Sequence, residues 1–293
     1  MSGIVYKALQ WSGAAWLWRE AVQRNKVTIL LFHDMGTADA ERNFTYLKRR
    51  YNIIGLKDFL DARQTGKRLP RKAVVVTFDD GHVSNHALLP VIKKLQIPVT
   101  IFLCSSIVGT RRHFWFRHSD EMKPETERLK RISNAQRLDT MTHYGFAQEQ
   151  EYDDIQALQQ GQIKEMKPWV DFQSHTCFHP ILPQCDDNTA RAEIAESKRQ
   201  LEASYGLTIN TLSYPNGDYS ARDIRLAKEA GYTCGVTVDS GYNDRHTDLF
   251  RLKRFSVNDA TTTAELMVKA SGLYATLKHL IHKPSYGYKD SIG

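Results

Sequence analysis

Short apolar runs alternate with segments of helical periodicity along most of the chain. Seven runs of continuous apolar or β-branched character predict strands, at residues 27–32, 73–78, 99–103, 170–173, 211–214, 233–238 and 252–257. Runs without polar alternation are typical of strands that are buried on both faces of a parallel sheet. Helices are predicted between them, at residues 83–95, 189–204 and 221–230. The pattern therefore favours an α/β fold in which crossover helices join parallel strands.

The segment before the first strand has a different character. Residues 1–26 carry Trp11, Ala15, Trp18 and Val22 at helical spacing and predict an amphipathic helix. This helix either packs on the domain or lies on an anionic membrane surface, because tryptophan and basic side chains favour the headgroup boundary. The sequence leaves both interpretations open.

Two further segments interrupt the alternation. Residues 110–167 are polar and charged, with helices predicted at 123–138 and 151–166, and we interpret them as an insertion at one end of the sheet. Insertions beside strand ends commonly carry substrate contacts. Residues 261–293 are predicted to form a C-terminal helix and tail. The main domain would thus span residues 27–260.

Composition and charge narrow the class of protein. The 293 residues are 41% hydrophobic and 25% charged, and no apolar run approaches the roughly 18 to 20 residues that a membrane span needs. The net charge of +7 is spread thinly, which argues against nucleic-acid binding. Four cysteines without Cys-x-x-Cys spacing, and an N-terminus interrupted by polar residues, predict a cytoplasmic protein, peripheral to the inner membrane if the first helix binds lipid.

Candidate chemistry gathers where predicted strands end. Asp79 and Asp80 follow the strand at 73–78, and a tight turn at Gly81 can rotate both carboxylates toward one cleft. His175 and His179 follow the strand at 170–173, and four-residue spacing puts both imidazoles on one face if the segment makes a helical turn. Two histidines and one aspartate, with a second aspartate to spare, are what a hydrolytic metal centre needs.

Two other strand ends carry weaker signals. The turn Tyr214-Pro215-Asn216-Gly217 exposes backbone N–H groups that can stabilise an oxyanion. His33 closes the first strand, and an imidazole there could protonate a leaving group near neutral pH. Taken alone, each is more often an ordinary turn or a structural histidine.

Taken together, these motifs resemble the polysaccharide deacetylase family, also known as the NodB homology group or carbohydrate esterase family four. The residues that carry the resemblance are Thr77-Phe78-Asp79-Asp80-Gly81, His175-Thr176-Cys177-Phe178-His179 and Tyr214-Pro215-Asn216-Gly217. The likeness extends from about residue 27 to residue 257. It implies a distorted (β/α)7 TIM-like barrel with a helical insertion, and metal-dependent hydrolysis of an N-acetyl group on an amino sugar.

The resemblance also implies roles for single residues. Asp79 would be the general base, and Asp80, His175 and His179 would bind a divalent ion, with zinc as the expected metal. The backbone near Asn216 would help to hold the oxyanion.

Several departures from the family pattern affect the site. The arginine that usually precedes the proline turn is absent, the aromatic residue after the proline is replaced by Asn216, and the later Asp-Trp motif is missing. A family branch that deacetylates poly-glucosamine exopolysaccharides carries its acid histidine on the first strand, and His33 resembles that arrangement. Arg254 is a candidate for the missing arginine. Tyr214, Pro215 and Arg254 are also expected to contribute to substrate binding.

The sequence thus predicts an N-deacetylase that acts on an amino-sugar glycan or a lipid-linked sugar in surface polysaccharide synthesis. A deformylase or another C–N amide hydrolase would use the same metal site. A catalytically disabled carbohydrate-binding barrel is a third hypothesis, prompted by the replaced motif residues. The oligomeric state is left open.

Overall fold

A curved sheet of eight parallel strands forms the centre of the protein. The structure is a computed structural model that describes residues 3–119 and 125–281. The strands are β1 (Val27–Phe32), β2 (Asn52–Ile53), β3 (Ala73–Phe78), β4 (Val99–Leu103), β5 (Val170–Ser174), β6 (Thr211–Ser213), β7 (Cys234–Val236) and β8 (Phe255–Ser256). Their order is β7-β6-β5-β4-β3-β1-β8, and β2 pairs with β3 beside this path. A parallel bridge between Val236 of β7 and Leu252 joins the two outer strands, so the sheet curves into a distorted barrel.

Helices surround the sheet and connect its strands. They are α1 (Gly3–Trp11), α2 (Ala14–Trp18), α3 (Thr37–Arg50), α4 (Leu56–Thr65), α5 (Leu89–Leu95), α6 (Trp115–Ser119), α7 (Glu125–Leu129), α8 (Asn134–His143), α9 (Gln160–Met166), α10 (Asp187–Tyr205), α11 (Ala221–Glu229), α12 (Thr263–Ala270) and α13 (Leu273–Ile281). A π-helical turn at Arg19–Gln23 continues α2. None of the helices in the described ranges combines the length and the apolar character needed to cross a bilayer.

The seven predicted strands are all present, and the predicted fold class is confirmed. All six residues of β1 and of β3 are buried, as their continuous apolar character predicted, and the two strands pair in parallel from Val27–Ala73 to Phe32–Phe78. Strands β7 and β8 are shorter than predicted. The two-residue strand β2 was not predicted, because so short a pairing leaves no hydrophobic period in the sequence.

The single amphipathic helix predicted for residues 1–26 is wrong. The segment breaks between α1 and α2 at Gly13, which has a φ of 72° and lies in the left-handed region that glycine adopts without strain. The inner faces of both helices pack on α12 and α13 in a small apolar cluster that contains Tyr6, Ala15 and Val268.

The insertion also differs from the prediction. Instead of helices at 123–138 and 151–166, the structure has the shorter helices α7, α8 and α9. Two of the helices, α3 and α4, were missed, although Ala40, Phe44 and Leu47 are buried at helical spacing in α3. The predicted C-terminal tail lies partly outside the described residues, which end at residue 281.

Candidate metal and active site

A cavity of about 380 Å³ opens at the carboxyl ends of the strands. It is lined by Leu31, His33, Asp79, Asp80, Trp115, Phe116, Thr126, Lys130, His175, His179, Ile181, Asn216, Gly217, Val238 and Ser256. Of the predicted catalytic and metal-binding residues, all six therefore meet at one cavity. Parallel strands bring their carboxyl ends to one edge, which explains how residues far apart in sequence converge there.

Asp80, His175 and His179 form a compact group of ligand-type atoms. One ligand atom from each residue lies within 4.8 Å of the others, and all three residues are buried. The Asp80 Oδ1 atom is 3.4 Å from His175 Nε2 and 3.4 Å from His179 Nε2. The structure thus brings these three side chains together as the motif spacing predicted.

The backbone turns sharply to present Asp80. Its φ is 71°, and the φ of the following Gly81 is 73°. A Cβ atom at Gly81 would lie 2.6 Å from the side chain of Leu103, so both the conformation and the space require glycine. The other carboxylate oxygen of Asp80, Oδ2, lies 3.1 Å from Nε2 of His82, which sequence reasoning did not single out. His82 therefore orients Asp80 with Oδ1 toward the two imidazoles.

The two histidines do not lie on a helical turn, and that part of the prediction is wrong. The segment after β5 is irregular, with left-handed conformations at Thr176 (φ 68°) and His179 (φ 58°). Its bends are held by a 2.8 Å hydrogen bond from Trp115 Nε1 to the carbonyl oxygen of His179. His175 Nδ1 lies 2.8 Å from the carbonyl oxygen of Ser213. Because that oxygen can only accept, Nδ1 carries the hydrogen and Nε2 faces Asp80.

The chemistry of this donor set fits a divalent metal ion. Asp80 Oδ1 is buried and has no hydrogen-bond partner, an arrangement that is costly unless a cation compensates it. Burial lowers the pKa of His179 to about 3, so its imidazole is neutral, as a metal ligand must be. Burial would raise the pKa of Asp80, but the imidazoles of His175 and His82 hold it well below its usual range. Two imidazoles and one carboxylate are a common ligand set for zinc with open positions.

Asp79 lies beside this group but is held by other partners. Arg254 donates to both of its carboxylate oxygens, over 2.8 Å from Nη1 and 2.7 Å from Nη2, and Ser213 Oγ donates over 3.1 Å. Asp79 and Arg254 are buried. Burial would raise the pKa of Asp79, but Arg254 and then His175 lower it below its ordinary value. The carboxyl group is therefore ionised and fixed in one orientation.

Arg254 thus occupies the place that the sequence left without an arginine. Its Nε also donates to the carbonyl oxygen of Thr237 over 2.8 Å, so the guanidinium is fixed by the residue that directly follows β7. The prediction that Arg254 contacts the substrate requires correction, however, because its side chain is fully buried behind Asp79. It positions Asp79 and does not line the cavity.

The other two expected substrate contacts are also corrected. Tyr214 is fully buried and its hydroxyl donates to the carbonyl oxygen of Phe250, and Pro215 is buried beneath the turn. Neither lines the cavity. Asn216 does line it, with a φ of 56°, and its side-chain amide donates to Asp218 Oδ2 over 2.8 Å. The side-chain amide is thus engaged within the turn.

The insertion contributes cavity residues that the sequence analysis did not identify. Trp115 and Phe116 lie at the start of α6, and Thr126 and Lys130 come from α7 and the turn after it. The run Phe114-Trp115-Phe116 in an otherwise polar segment was the available signal. The insertion therefore forms one wall of the cavity.

Glu193 of α10 supports the loop that carries the two histidines. Its Oε2 accepts hydrogen bonds from the backbone N–H groups of Cys177 (2.8 Å) and Phe178 (2.9 Å). Burial raises the pKa of the Glu193 carboxyl from 4.5 to about 7, despite these bonds. The folded protein thus keeps a proton that the unfolded chain releases, and this group costs stability as the pH rises from about 4.5 to about 7.

The substitution Glu193→Gln is expected to remove this pH-dependent loss of stability. The amide oxygen can accept hydrogen bonds from both backbone N–H groups without a buried charge. Between pH 5 and pH 8 the free energy of unfolding should fall less in the variant than in the unmodified protein, by on the order of 3 kcal/mol. Urea unfolding at several pH values measures this. Glu196→Gln, on the exposed face of the same helix, is the control and should follow the unmodified protein. Parallel pH profiles for the Glu193 variant and the unmodified protein would contradict the role given to Glu193.

Comparison with known proteins identifies the family. The model of the family described as polysaccharide deacetylase matches residues 66–235, more than half of the chain. The chain belongs to the polysaccharide deacetylase family. The match includes Asp79, Asp80 and both histidines of the deacetylase. The predicted family is confirmed, and so is the prediction that the enzyme is a carbohydrate N-deacetylase.

Individual relatives of the deacetylase are distant. YxkH of Bacillus subtilis (strain 168), which carries a polysaccharide deacetylase name, is 23% identical over 252 residues, or 82% of this chain and 75% of that protein. The poly-beta-1,6-N-acetyl-D-glucosamine N-deacetylase of Staphylococcus epidermidis is 26% identical over 214 residues, which cover 72% of this chain and 63% of that enzyme. The Streptococcus pyogenes deacetylase PplD, solved in complex with acetate, superimposes with a TM-score of 0.63 at 19% identity, over 84% of this chain and 99% of that one. The superposition supports the barrel fold.

Proposed function

We propose that this deacetylase is a metal-dependent hydrolase that removes N-acetyl groups from an amino-sugar glycan or glycolipid intermediate in surface polysaccharide synthesis. The observation that carries the proposal is the convergence of Asp80 Oδ1 with two imidazole Nε2 atoms beside an ionised, separately held Asp79. A ligand group and a neighbouring carboxylate with different partners suit different tasks in one reaction.

Asp80, His175 and His179 would hold the ion, and zinc is the expected metal. When bound, such an ion supplies Lewis-acid polarisation of an amide carbonyl and of water. The hydrogen bond from His175 Nδ1 to Ser213 and the contact of Asp80 with His82 would fix the ligand orientations. We therefore expect the metal affinity to depend on these two contacts and not only on the three ligands.

Asp79 would take the proton of the attacking water. Each carboxylate oxygen can accept more than one hydrogen bond, so the bonds from Arg254 and Ser213 leave capacity for a water molecule. The same two partners keep the carboxylate ionised and oriented, which is what a general base needs. The hypothesis of a disabled barrel drew on the missing arginine, and Arg254 supplies a guanidinium at Asp79 from the residue before β8.

His33 would protonate the departing amine. It lies on the cavity wall after β1, and its backbone N–H donates to Asp259 Oδ1 over 2.9 Å, which fixes the local main chain. Asn216 and Gly217 line the same cavity, and their backbone N–H groups would face the oxyanion. These roles follow from position at the cavity.

The substrate class is drawn from the family and from the cavity wall. The name of the Staphylococcus epidermidis relative gives poly-β-1,6-N-acetylglucosamine as its substrate, and we propose an N-acetylglucosamine glycan for this chain also. Phe116, which is partly exposed at the cavity, offers an apolar ring surface against which the C–H face of a sugar can pack. The cytoplasmic location stays a prediction from the cysteine pattern, and all four cysteines are buried free thiols.

Acetate release from N-acetylglucosamine oligomers tests this proposal. The metal-loaded protein should release acetate, and it should lose that activity when a chelator removes the metal and regain it when zinc is restored. An N-formyl panel serves as comparison, since formate release without acetate would favour a deformylase. Binding of the oligomers with no release of either acid from the metal-loaded protein would contradict the proposal and favour a carbohydrate-binding barrel.

A further inference from the structure

Large apolar side chains are concentrated on the outer face of the two N-terminal helices. Within residues 3–119 and 125–281, eight large apolar side chains are exposed, and five of them lie between residues 4 and 17. They are Ile4, Val5, Trp11, Trp16 and Leu17, with exposed fractions of 80, 38, 86, 48 and 58%. Exposed apolar side chains so concentrated in one segment mark an interaction surface more often than an ordinary surface.

This outer face is separate from the face that holds the helices on the barrel. Tyr6 and Ala15 are buried against Ala264 and Val268 of α12, and Trp18 packs against the same cluster. Trp18 Nε1 also donates to the hydroxyl of Tyr242 over 3.0 Å. The exposed tryptophans and leucine are therefore not needed to attach α1 and α2 to the domain.

A basic cleft lies at the end of the barrel where the strands begin. It has a volume of about 930 Å³ and is bordered by residues that precede β1 and β3 and by the loop after β7. Its cationic side chains are Lys26, Arg63, Lys67, Arg68, Arg71 and Arg245. Asp244 is the one acidic residue among the described residues that line the cleft. Six cations against one carboxylate predict a local attraction for anions.

The basic cleft adjoins the end of the N-terminal segment that follows α2, while α1 packs along α12. The π-helical turn that continues α2 runs directly into Asn25 and Lys26 on the border of the cleft. The carbonyl oxygen of Arg24 accepts a hydrogen bond from the backbone N–H of Lys72, just before β3 begins. The catalytic cavity lies at the opposite end, where the strands finish.

We propose that this end of the protein docks on the surface of an anionic membrane. Tryptophan and leucine insert at the boundary between headgroups and acyl chains, while lysine and arginine attract anionic headgroups. The two features supplement each other, because either one alone gives only weak membrane binding. Docking in this orientation turns the catalytic cavity away from the bilayer, so the glycan would be reached from the aqueous side.

Sedimentation with lipid vesicles tests the docking surface on the full chain. The protein should sediment with phosphatidylcholine vesicles that contain phosphatidylglycerol and much less with phosphatidylcholine alone, and added salt should weaken the binding. Trp11→Ser/Trp16→Ser and Arg68→Glu/Arg71→Glu should each lower the partition coefficient about tenfold or more. Trp169→Ser and Arg191→Glu/Arg225→Glu, exposed changes elsewhere, are the matched controls and should bind as the unmodified protein does.

Thermal unfolding of every variant checks that a loss of binding does not come from a loss of folding. The proposal is overturned if the unmodified protein does not sediment, if binding ignores phosphatidylglycerol, or if the control variants lose binding equally. A dimer in sedimentation equilibrium that Trp11→Ser/Trp16→Ser dissociates, without vesicle binding, would assign the surface to a second copy. None of these measurements depends on catalysis. A result that overturns membrane docking therefore leaves the proposed function untouched, and the two proposals can fail separately.

Discussion

Asp79→Asn should lower kcat for acetate release by roughly a thousandfold while the protein keeps its metal. The amide cannot take a proton from water, yet the three proposed ligands stay in place, because the hydrogen bonds of Asp79 go to Arg254 and Ser213, while His175 Nε2 lies 3.8 Å from its Oδ2. The variant should also unfold more readily, since the buried Arg254 loses its anionic partner, at a cost of about 3 to 5 kcal/mol. Steady-state kinetics below the unfolding temperature measures the loss of kcat, and metal analysis shows whether the metal is kept.

Asp171→Asn is the matched control for this variant. Asp171 is a half-buried aspartate on β5, where Thr100 and Gln173 donate to its carboxylate, and it lies outside the catalytic cavity. Its replacement should leave kcat within a few fold of the original value. Equal losses of kcat in both variants would mean that the effect at Asp79 comes from a disturbed barrel. Loss of metal from Asp79→Asn would assign this residue to the ligand set instead.

His175→Ala should weaken metal binding by more than a hundredfold and abolish activity. Loss of a residue that only orients a ligand typically costs 10- to 100-fold in affinity, and loss of a ligand itself should exceed this. His175 Nε2 faces Asp80 Oδ1 from 3.4 Å, while its Nδ1 is fixed by Ser213, so the substitution removes a ligand atom that is already oriented toward the ion. Zinc content by plasma mass spectrometry, with competitive titration against a chromophoric chelator, gives the affinity.

Two further histidine variants serve as comparisons for His175→Ala. His86→Ala removes a partly exposed histidine that pairs with Glu165, and zinc affinity should not change. His82→Gln removes the partner of Asp80 Oδ2, and its effect should be intermediate, between 10- and 100-fold. Full zinc occupancy in His175→Ala at the concentration that saturates the unmodified protein would contradict the assignment of this ligand.

Much of the barrel was predictable because its strands are buried on both faces. Strands β1 and β3 lie between helices and neighbouring strands, so their six residues are apolar without alternation and their bounds follow from the sequence. Strands β7 and β8 were predicted too long, because apolar residues continue into loops that are also buried. Propensity does not distinguish a buried loop from a strand that has a partner.

The candidate site was predictable in its residues and not in its geometry. Strand-end positions brought Asp80, His175 and His179 to one cavity, but the loop between the histidines bends through left-handed residues where a helical turn was expected. Arg254 reaches Asp79 because β8 pairs with β1 and β1 pairs with β3, in a sheet that the bridge between Val236 and Leu252 closes. A contact between residues so far apart follows from the topology and not from any local pattern.

Anomalous X-ray diffraction from a zinc-loaded crystal, collected on both sides of the zinc absorption edge, shows whether one cation binds to Asp80, His175 and His179 and leaves Asp79 free to activate water. We expect one strong peak in the cavity, at about 2.0 to 2.2 Å from His175 Nε2, His179 Nε2 and Asp80 Oδ1, with Asp79 still bound to Arg254. A peak that excludes either histidine, or one that includes Asp79 as a ligand, would contradict it.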